Sequence, residues 1–153
     1  MLKDRAWIAA HIPHHGCMCL LDGVLEWNAS GARCVSRAHR DLRNPLRARG
    51  QLSAVCGIEF AAQAMAVHGA LVAPPTALPP RLGYLAAVRG VEMLVARLDD
   101  IEDDLIASAE RLGGDEATML YRFVLTAGGR TLLAGRSTIV ISPALAAGLP
   151  RVS

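Results

Sequence analysis

The sequence contains few aromatic residues and almost no net charge, and both shortages limit what the protein can do. Phe, Trp and Tyr make up 4% of the 153 residues, and the formal net charge is +2. Proteins that bind nucleic acid usually carry a strong basic excess, so we expect no nucleic-acid partner. The sequence also lacks a glycine-rich phosphate loop and the serine elbow of the α/β-hydrolases.

Signals for export and for membrane insertion are also missing from the sequence. The first residues, Met1 to Trp7, include Lys3, Asp4 and Arg5 and do not form the apolar core of a secretory signal. Prolines at positions 74, 75, 79 and 80 interrupt the longest apolar run before it reaches the roughly 20 residues of a membrane span. We therefore predict a cytoplasmic protein with no membrane span.

Cysteine is scarce, and its spacing does not suggest a metal site. The four cysteines are Cys17, Cys19, Cys34 and Cys56. Without an export signal they should be reduced. No second Cys/His pair stands at zinc-site spacing, and alternation along a strand would place Cys17 and Cys19 on one buried face. We expect small buried hydrophobic side chains here, and neither a metal nor another cofactor.

The order of apolar patterns predicts an α+β fold. Hydrophobic residues make up 52% of the chain and charged residues 20%, and 153 residues suit one domain. A short helix is predicted at 4–11 and a long, almost entirely apolar helix at 53–72. Strands are predicted at 18–27, 32–38, 82–96, 104–112, 118–126 and 131–142, several of them joined by glycine turns. Residues 1–153 should form a single domain, with a curved antiparallel sheet around one central helix.

Charged residues cluster in two stretches of opposite sign. The basic stretch contains Arg37, Arg40, Arg43, Arg47 and Arg49, and the acidic stretch contains Asp99, Asp100, Glu102, Asp103 and Asp104. The favoured interpretation is two solvated loops. The alternative is that the basic stretch receives an anionic partner, such as a phosphate-bearing carrier or an acidic protein.

Two polar residues in otherwise apolar surroundings are the best candidates for chemistry. His14 lies in Ile12-Pro13-His14-His15-Gly16, and Glu59 interrupts the apolar helix. Burial raises the pKa of an unpaired carboxyl group, so Glu59 is predicted to be protonated. An acid of this kind facing a histidine is suited to proton transfer on a carbonyl substrate. In the alternative interpretation, His14 caps a backbone group and Glu59 faces solvent.

Other polar residues receive weaker assignments. Gly57 could allow the close approach of a substrate, and Gln63, one turn beyond Glu59, could orient its carboxyl group. His15 could bind substrate or replace His14 as the base. His11 and His39 are predicted to lie at the surface, and His68 on the opposite side of the helix from Glu59. Asp22 is predicted to make a structural hydrogen bond.

Two motifs resemble those of a known enzyme family. Residues 12–24, Ile-Pro-His-His-Gly-Cys-Met-Cys-Leu-Leu-Asp-Gly-Val, resemble the opening motif of the hotdog-fold 3-hydroxyacyl-[acyl carrier protein] dehydratases, with the same spacing from His14 to Asp22. Residues 59–63, Glu-Phe-Ala-Ala-Gln, resemble the motif on the central helix of that family. Residues 44–46 and 57–59 are most similar to the subgroup of aryl-polyene and polyketide-like lipid pathways. Two positions depart from the family: residues 49–55 replace its segment before the helix, and His15 replaces its arginine.

The resemblance implies a fold, a reaction and an assembly. It implies that His14 is the base and Glu59 the acid in the dehydration of a 3-hydroxyacyl thioester to a trans-2-enoyl thioester. The substrate would be carried by acyl carrier protein or by coenzyme A. The histidine and the glutamate of one site would come from different subunits, which requires a homodimer or a higher homo-oligomer. A hotdog thioesterase and a non-catalytic acyl-binding partner subunit are the alternatives.

Overall fold

The computed structural model describes residues 1–74 and 83–141. Within these ranges, seven antiparallel strands form one sheet in the order β1-β2-β3-β5-β6-β7-β4. The strands are β1 (Lys3–Asp4), β2 (Gly23–Asn28), β3 (Gly31–Ser36), β4 (Gly83–Met93), β5 (Leu105–Gly114), β6 (Thr118–Ala127) and β7 (Arg130–Ile141). The helices are α1 (Arg5–His11) and α2 (Gly57–Val72), and three short 3-10 turns span Gly16–Met18, Ala38–Arg40 and Ala54–Cys56.

Helix α2 lies at the centre of the fold. It packs against β3, β5 and β6, and Phe60, Ala61 and Ala64 have no exposed surface. Ser53 caps the 3-10 turn before the helix, because its side chain accepts a hydrogen bond from the Val55 N–H. The predicted α+β arrangement, a sheet wrapped around one long helix, is therefore confirmed, and it is the hotdog fold.

The apolar composition of this helix has a structural explanation. Residues Ala54–Val72 are long and apolar enough to cross a membrane, so the expectation that every apolar run is too short was wrong. The helix buries Phe60, Met65 and Val67 inside the protein, however, as a core helix does. It therefore indicates no membrane span.

The segment that carries the first motif is not the strand that was predicted. Gly16–Met18 form a 3-10 turn, and β2 begins only at Gly23. Cys17 is consequently exposed while Cys19 is buried, because the alternation of faces holds only within a strand. Cys34, on β3, is buried as expected, and burial raises the pKa of its thiol to about 12.

The long strands after α2 are close to the predicted ones. Strand β4 is irregular near Gly90: its register against β7 shifts between Arg89 and Glu92, and Gly90 has φ +59°. Pro75, Pro79 and Pro80, which interrupt the apolar run after α2 in the sequence, lie outside the described residues, as does the predicted end of the last strand at 142.

The basic and acidic stretches are not two separate solvated loops. Arg40 donates to the Asp104 carboxylate at 2.6 Å and also to the backbone carbonyl of Glu102. Arg47 donates to three backbone carbonyls, those of Asp41, His39 and Gly50. Much of the arginine stretch therefore has a structural function.

Two histidines are fully buried. His39 was predicted to lie at the surface, but it has no exposed area, and its Nε2 is 3.0 Å from the carbonyl oxygen of Ile101. His68 lies between α2 and the sheet, with Nδ1 2.8 Å from the Tyr121 hydroxyl and Nε2 3.0 Å from the Asn28 carbonyl oxygen. Since a carbonyl only accepts, Nε2 of His68 carries the proton, and burial lowers the pKa of this side chain.

The low pKa of His68 predicts that acid destabilises the fold. The folded protein keeps His68 neutral because its pKa is lowered, whereas in the unfolded chain histidine has its ordinary pKa of about 6.5 and binds a proton below that pH. The free energy of unfolding should therefore fall as the pH drops below that value, by up to about 1.4 kcal/mol per pH unit for each such group. In urea denaturation, the free energy of unfolding of His68→Gln should fall less steeply with decreasing pH than that of the parent. The decline that remains in this variant should come from His39. His11→Gln, an exposed control, should decline like the parent, and an equal decline in His68→Gln would contradict this account.

Candidate active site

His14 and Glu59 are in direct contact. His14 lies in the loop after α1, and Glu59 lies in the first turn of α2. Nε2 of His14 is 2.9 Å from Oε1 of Glu59, and the two side chains are 26% and 31% exposed. The partial exposure leaves the pair accessible from outside the protein. Both residues belong to the same chain, so the expectation that the two come from different subunits was wrong for this contact.

Gln63 connects the His14 loop to helix α2. It has no exposed surface, and its Nε2 donates to the Met18 carbonyl at 2.7 Å and to Oε1 of Glu59 at 3.2 Å. Its Oε1 accepts from the Leu20 N–H at 2.9 Å. One buried amide therefore fixes the backbone of the loop and orients the carboxylate. This agrees with the orienting function predicted for Gln63, although its fully buried position argues against direct contact with a substrate.

Glu59 is ionised in the resting pair, whereas its apolar surroundings in the sequence had predicted a protonated acid. The hydrogen bond from His14 lowers the pKa of Glu59, and the one from Gln63 adds to this effect, while burial opposes both. With Glu59 ionised, Nε2 of His14 is the donor in the 2.9 Å contact. The other ring nitrogen, Nδ1, is buried and has no hydrogen-bond partner among the described residues.

Gly57 has a packing function and not the substrate contact predicted for it. Its N–H bonds back to the carbonyls of Ala54 and Val55, so it is already used. A Cβ at this position would collide with a Leu133 methyl group and lie 2.9 Å from a Leu125 methyl carbon. Glycine is needed here because the start of α2 lies directly against the sheet.

The neighbouring motif residues also have defined positions. His15 is exposed, and its backbone carbonyl accepts from the Met18 N–H at 3.2 Å, so it is His14 that meets Glu59. Asp22 accepts a hydrogen bond from the Arg37 N–H at 2.6 Å, which is the structural bond predicted for it.

Sequence reasoning missed a depression of about 490 Å³ beside the His14 loop. Its walls are formed by Arg5, Cys17, Cys19, Asp22, Arg37, Ala38, Asp41, Arg43 and Asn44. The basic stretch was noticed in the sequence, but Arg5 lies in a different element, and only the fold brings it to the same cavity. In the part of the chain that the structure describes, no three His, Cys, Asp or Glu side chains are placed to hold a metal ion.

A histidine in contact with a glutamate on the central helix of a hotdog fold is an arrangement suited to proton transfer. The chain belongs to the ApeP-like family of ApeP dehydratases, whose family model matches residues 6–149. The resemblance to hotdog-fold dehydratases of the aryl-polyene type is thereby confirmed, and the protein is a dehydratase. None of the curated proteins matches the chain significantly.

Solved structures share the fold at low sequence identity. The dehydratase heterocomplex ApeI:P from Xenorhabdus doucetiae contains a chain 22% identical to this one, with a TM-score of 0.77 and coverage of 92% of this chain and 93% of that one. A mutant thioesterase from Pseudomonas aeruginosa is 12% identical, with a TM-score of 0.58 and coverage of 79% and 81%. A thioesterase from Haemophilus influenzae is 9% identical, with a TM-score of 0.59 and coverage of 88% and 81%.

Proposed function

We propose that this dehydratase removes water from 3-hydroxyacyl thioesters of acyl carrier protein to give trans-2-enoyl thioesters, in a fatty-acid or polyketide-like lipid pathway. The observation that carries the proposal is the 2.9 Å contact between His14 and Glu59. This contact supports the proposal because it brings a nitrogen base and a carboxyl group within hydrogen-bond distance of each other.

In the proposed reaction these two side chains carry out the proton transfers. Nε2 of His14 takes the proton from C2, and the electron pair of that C–H bond forms the C2–C3 double bond. The bond from C3 to the hydroxyl oxygen breaks, and Glu59 gives its proton to the departing hydroxide, so that water leaves. The pair ends as imidazolium and carboxylate, and transfer of one proton across the 2.9 Å contact restores the starting state.

The ionised resting state of Glu59 is compatible with its function as an acid. The contact with His14 is the main cause of the low pKa of Glu59. A substrate that enters between the two side chains would break this hydrogen bond and leave burial as the larger influence, which raises the pKa. The single proton of the pair would then move to Glu59, where elimination needs it.

The experiment is incubation of the protein, alone and with any co-expressed hotdog-fold partner, with a 3-hydroxyacyl carrier-protein thioester. Dehydration predicts a loss of about 18 mass units from the acyl group by mass spectrometry. Release of the free acid would instead support the thioesterase alternative, in which ionised Glu59 activates water. If neither product forms, the protein is an acyl-binding or partner subunit without turnover.

We further propose that β4 pairs with a second hotdog subunit. Among the described strands, β4 hydrogen-bonds only to β7 and forms an edge of the sheet. Its exposed apolar side chains include Tyr84 at 49% and Met93 at 52% exposure, followed by Leu94 at 61%. A long apolar edge of this kind is usually covered, because its unpaired backbone groups otherwise promote aggregation. The Ala54 N–H bonds to the Ala96 carbonyl at 3.0 Å, so this edge leads towards the turn before Glu59, and the site would lie near the subunit interface.

If β4 forms the subunit interface, a charged substitution on this strand should lower the molecular mass of the protein in solution. Leu85→Lys, which adds a charge to the exposed edge, should convert a homodimer into a monomer in analytical ultracentrifugation. Leu42→Lys, at a position that is 84% exposed in a different region, should leave the dimer intact. A parent protein that is monomeric alone but binds a different hotdog chain would show that the assembly is a heterocomplex.

The same proposal treats residues 1–153 as one hotdog domain that acts in the cytoplasm. The family model extends over residues 6–149, which supports a single domain. Cys17, Cys19, Cys34 and Cys56 are all free thiols, which suits a reducing compartment.

A further inference from the structure

The depression beside the His14 loop has the composition of an anion site. Three arginines line it, Arg5, Arg37 and Arg43, against two carboxylates, those of Asp22 and Asp41. With a volume of about 490 Å³, it has room for a phosphate and several linked groups. Because the lining charges sum to a positive value, the cavity favours an anion over a cation.

Two of the arginines are not fully used by the fold. Arg5 approaches Asp22 only to 3.6 Å and Arg37 only to 3.8 Å, and both share that single carboxylate. Arg5 also makes a long hydrogen bond of 3.5 Å to the Gly16 carbonyl. Asp22 is already held by the Arg37 backbone N–H at 2.6 Å. The guanidinium groups remain exposed, at 46% for Arg5 and 66% for Arg37, so they can turn towards a ligand without losing a close ion pair.

The cavity is lined in part by the loop that carries His14. Cys17 and Cys19 line it, and they belong to the loop that begins at His14. The backbone between and after these cysteines is fixed by Gln63, which also contacts Glu59. A ligand in the cavity would therefore contact the loop that carries His14, which Gln63 connects to Glu59.

We propose that this cavity binds the phosphoester of a pantetheine arm and so positions a thioester at the catalytic pair. The inference rests on the proposed function, because it assumes that the substrate is a thioester of this kind. A guanidinium group can donate two parallel hydrogen bonds to two oxygens of a phosphate. Three arginines around one cavity therefore suit a phosphoester better than the carboxylate of an acidic peptide. Carrier protein and coenzyme A both present this group.

The experiment compares thioester substrates with and without the phosphate. The double variant Arg5→Gln/Arg37→Gln should raise the KM for a 3-hydroxyacyl-phosphopantetheine thioester about tenfold, with kcat unchanged. For the corresponding pantetheine thioester, which lacks the phosphate, the parent and the variant should be equal. Arg33→Gln/Arg122→Gln is the matched control, because it also removes two exposed charges, here from ion pairs with Glu26 and Glu110.

Three results would overturn the proposal. These are an unchanged KM in the double variant, an equal rise in KM with the pantetheine thioester, and an equal rise in the control variant. Carrier-protein and coenzyme A thioesters form two further arms, and the arm that loses affinity in the double variant identifies the source of the phosphoester.

A binding measurement separates this proposal from the dehydration reaction. Calorimetry with 4′-phosphopantetheine and with pantetheine needs no turnover. Tighter binding of the phosphorylated compound by the parent, lost in the double variant, supports the site even if no thioester is dehydrated. Equal binding of the two compounds by the parent overturns the site even if dehydration is observed.

Discussion

Glu59→Gln is expected to reduce the rate of dehydration by about 10²–10⁴-fold, the range typical for removal of a general acid. The amide keeps the size of the side chain and can still hydrogen-bond to His14 and Gln63, but it cannot give a proton to the leaving hydroxyl. The measurement is kcat with the carrier-bound 3-hydroxyacyl substrate. Because Glu59 is 31% exposed, the substitution should change the melting temperature little.

The control for this prediction is Glu26→Gln. Glu26 is an exposed carboxylate paired with Arg33, so this variant makes the same chemical change away from the site. It should retain the parent rate. A Glu59→Gln protein with kcat within a factor of about three of the parent would show that another group supplies the proton.

Of the substitutions proposed for this protein, Gln63→Leu is expected to cause the largest loss of stability. The free energy of unfolding should fall by about 3 kcal/mol. Leucine fills the same space, but it leaves the Leu20 N–H and the Met18 carbonyl without their buried hydrogen-bond partner. Each unsatisfied group costs about 1–3 kcal/mol. Urea denaturation measures the loss. Activity should fall as well, because the loop that carries His14 is no longer fixed to the helix.

Gln51→Leu is the matched control, since Gln51 is exposed. It should change stability by less than about 0.5 kcal/mol. If Gln63→Leu is as stable as the parent, the backbone of the loop must find other hydrogen-bond partners. That result would contradict the proposal that Gln63 positions the loop.

The fold could be predicted from the sequence wherever local pattern decides the structure. Helix α2 is apolar on most sides and begins after a Ser53 cap, and both properties are visible in the sequence. The turn between β6 and β7 contains Gly128 and Gly129, both with positive φ, which few other residues adopt easily. The 3-10 turn at Gly16–Met18 could not be predicted in this way, because Cys17 and Cys19 alternate with other residues as they would on one face of a strand.

The residues of the site could be named from the sequence, but not their state or their connections. His14, Glu59 and Gln63 were identified from the motifs, and the structure brings these three together. The low pKa of Glu59 depends on its contact with His14, which lies 45 positions away in the sequence. Only the fold shows that these two residues meet within one chain. The burial of His39 likewise depends on Ile101, which comes from a distant segment.

Gln63 holds the loop through the peptide groups of Met18 and Leu20 and not through their side chains. These hydrogen bonds constrain the backbone path of the loop and do not themselves require particular side chains at positions 18 and 20. We therefore expect related proteins to keep the architecture of this site long after their sequences have diverged.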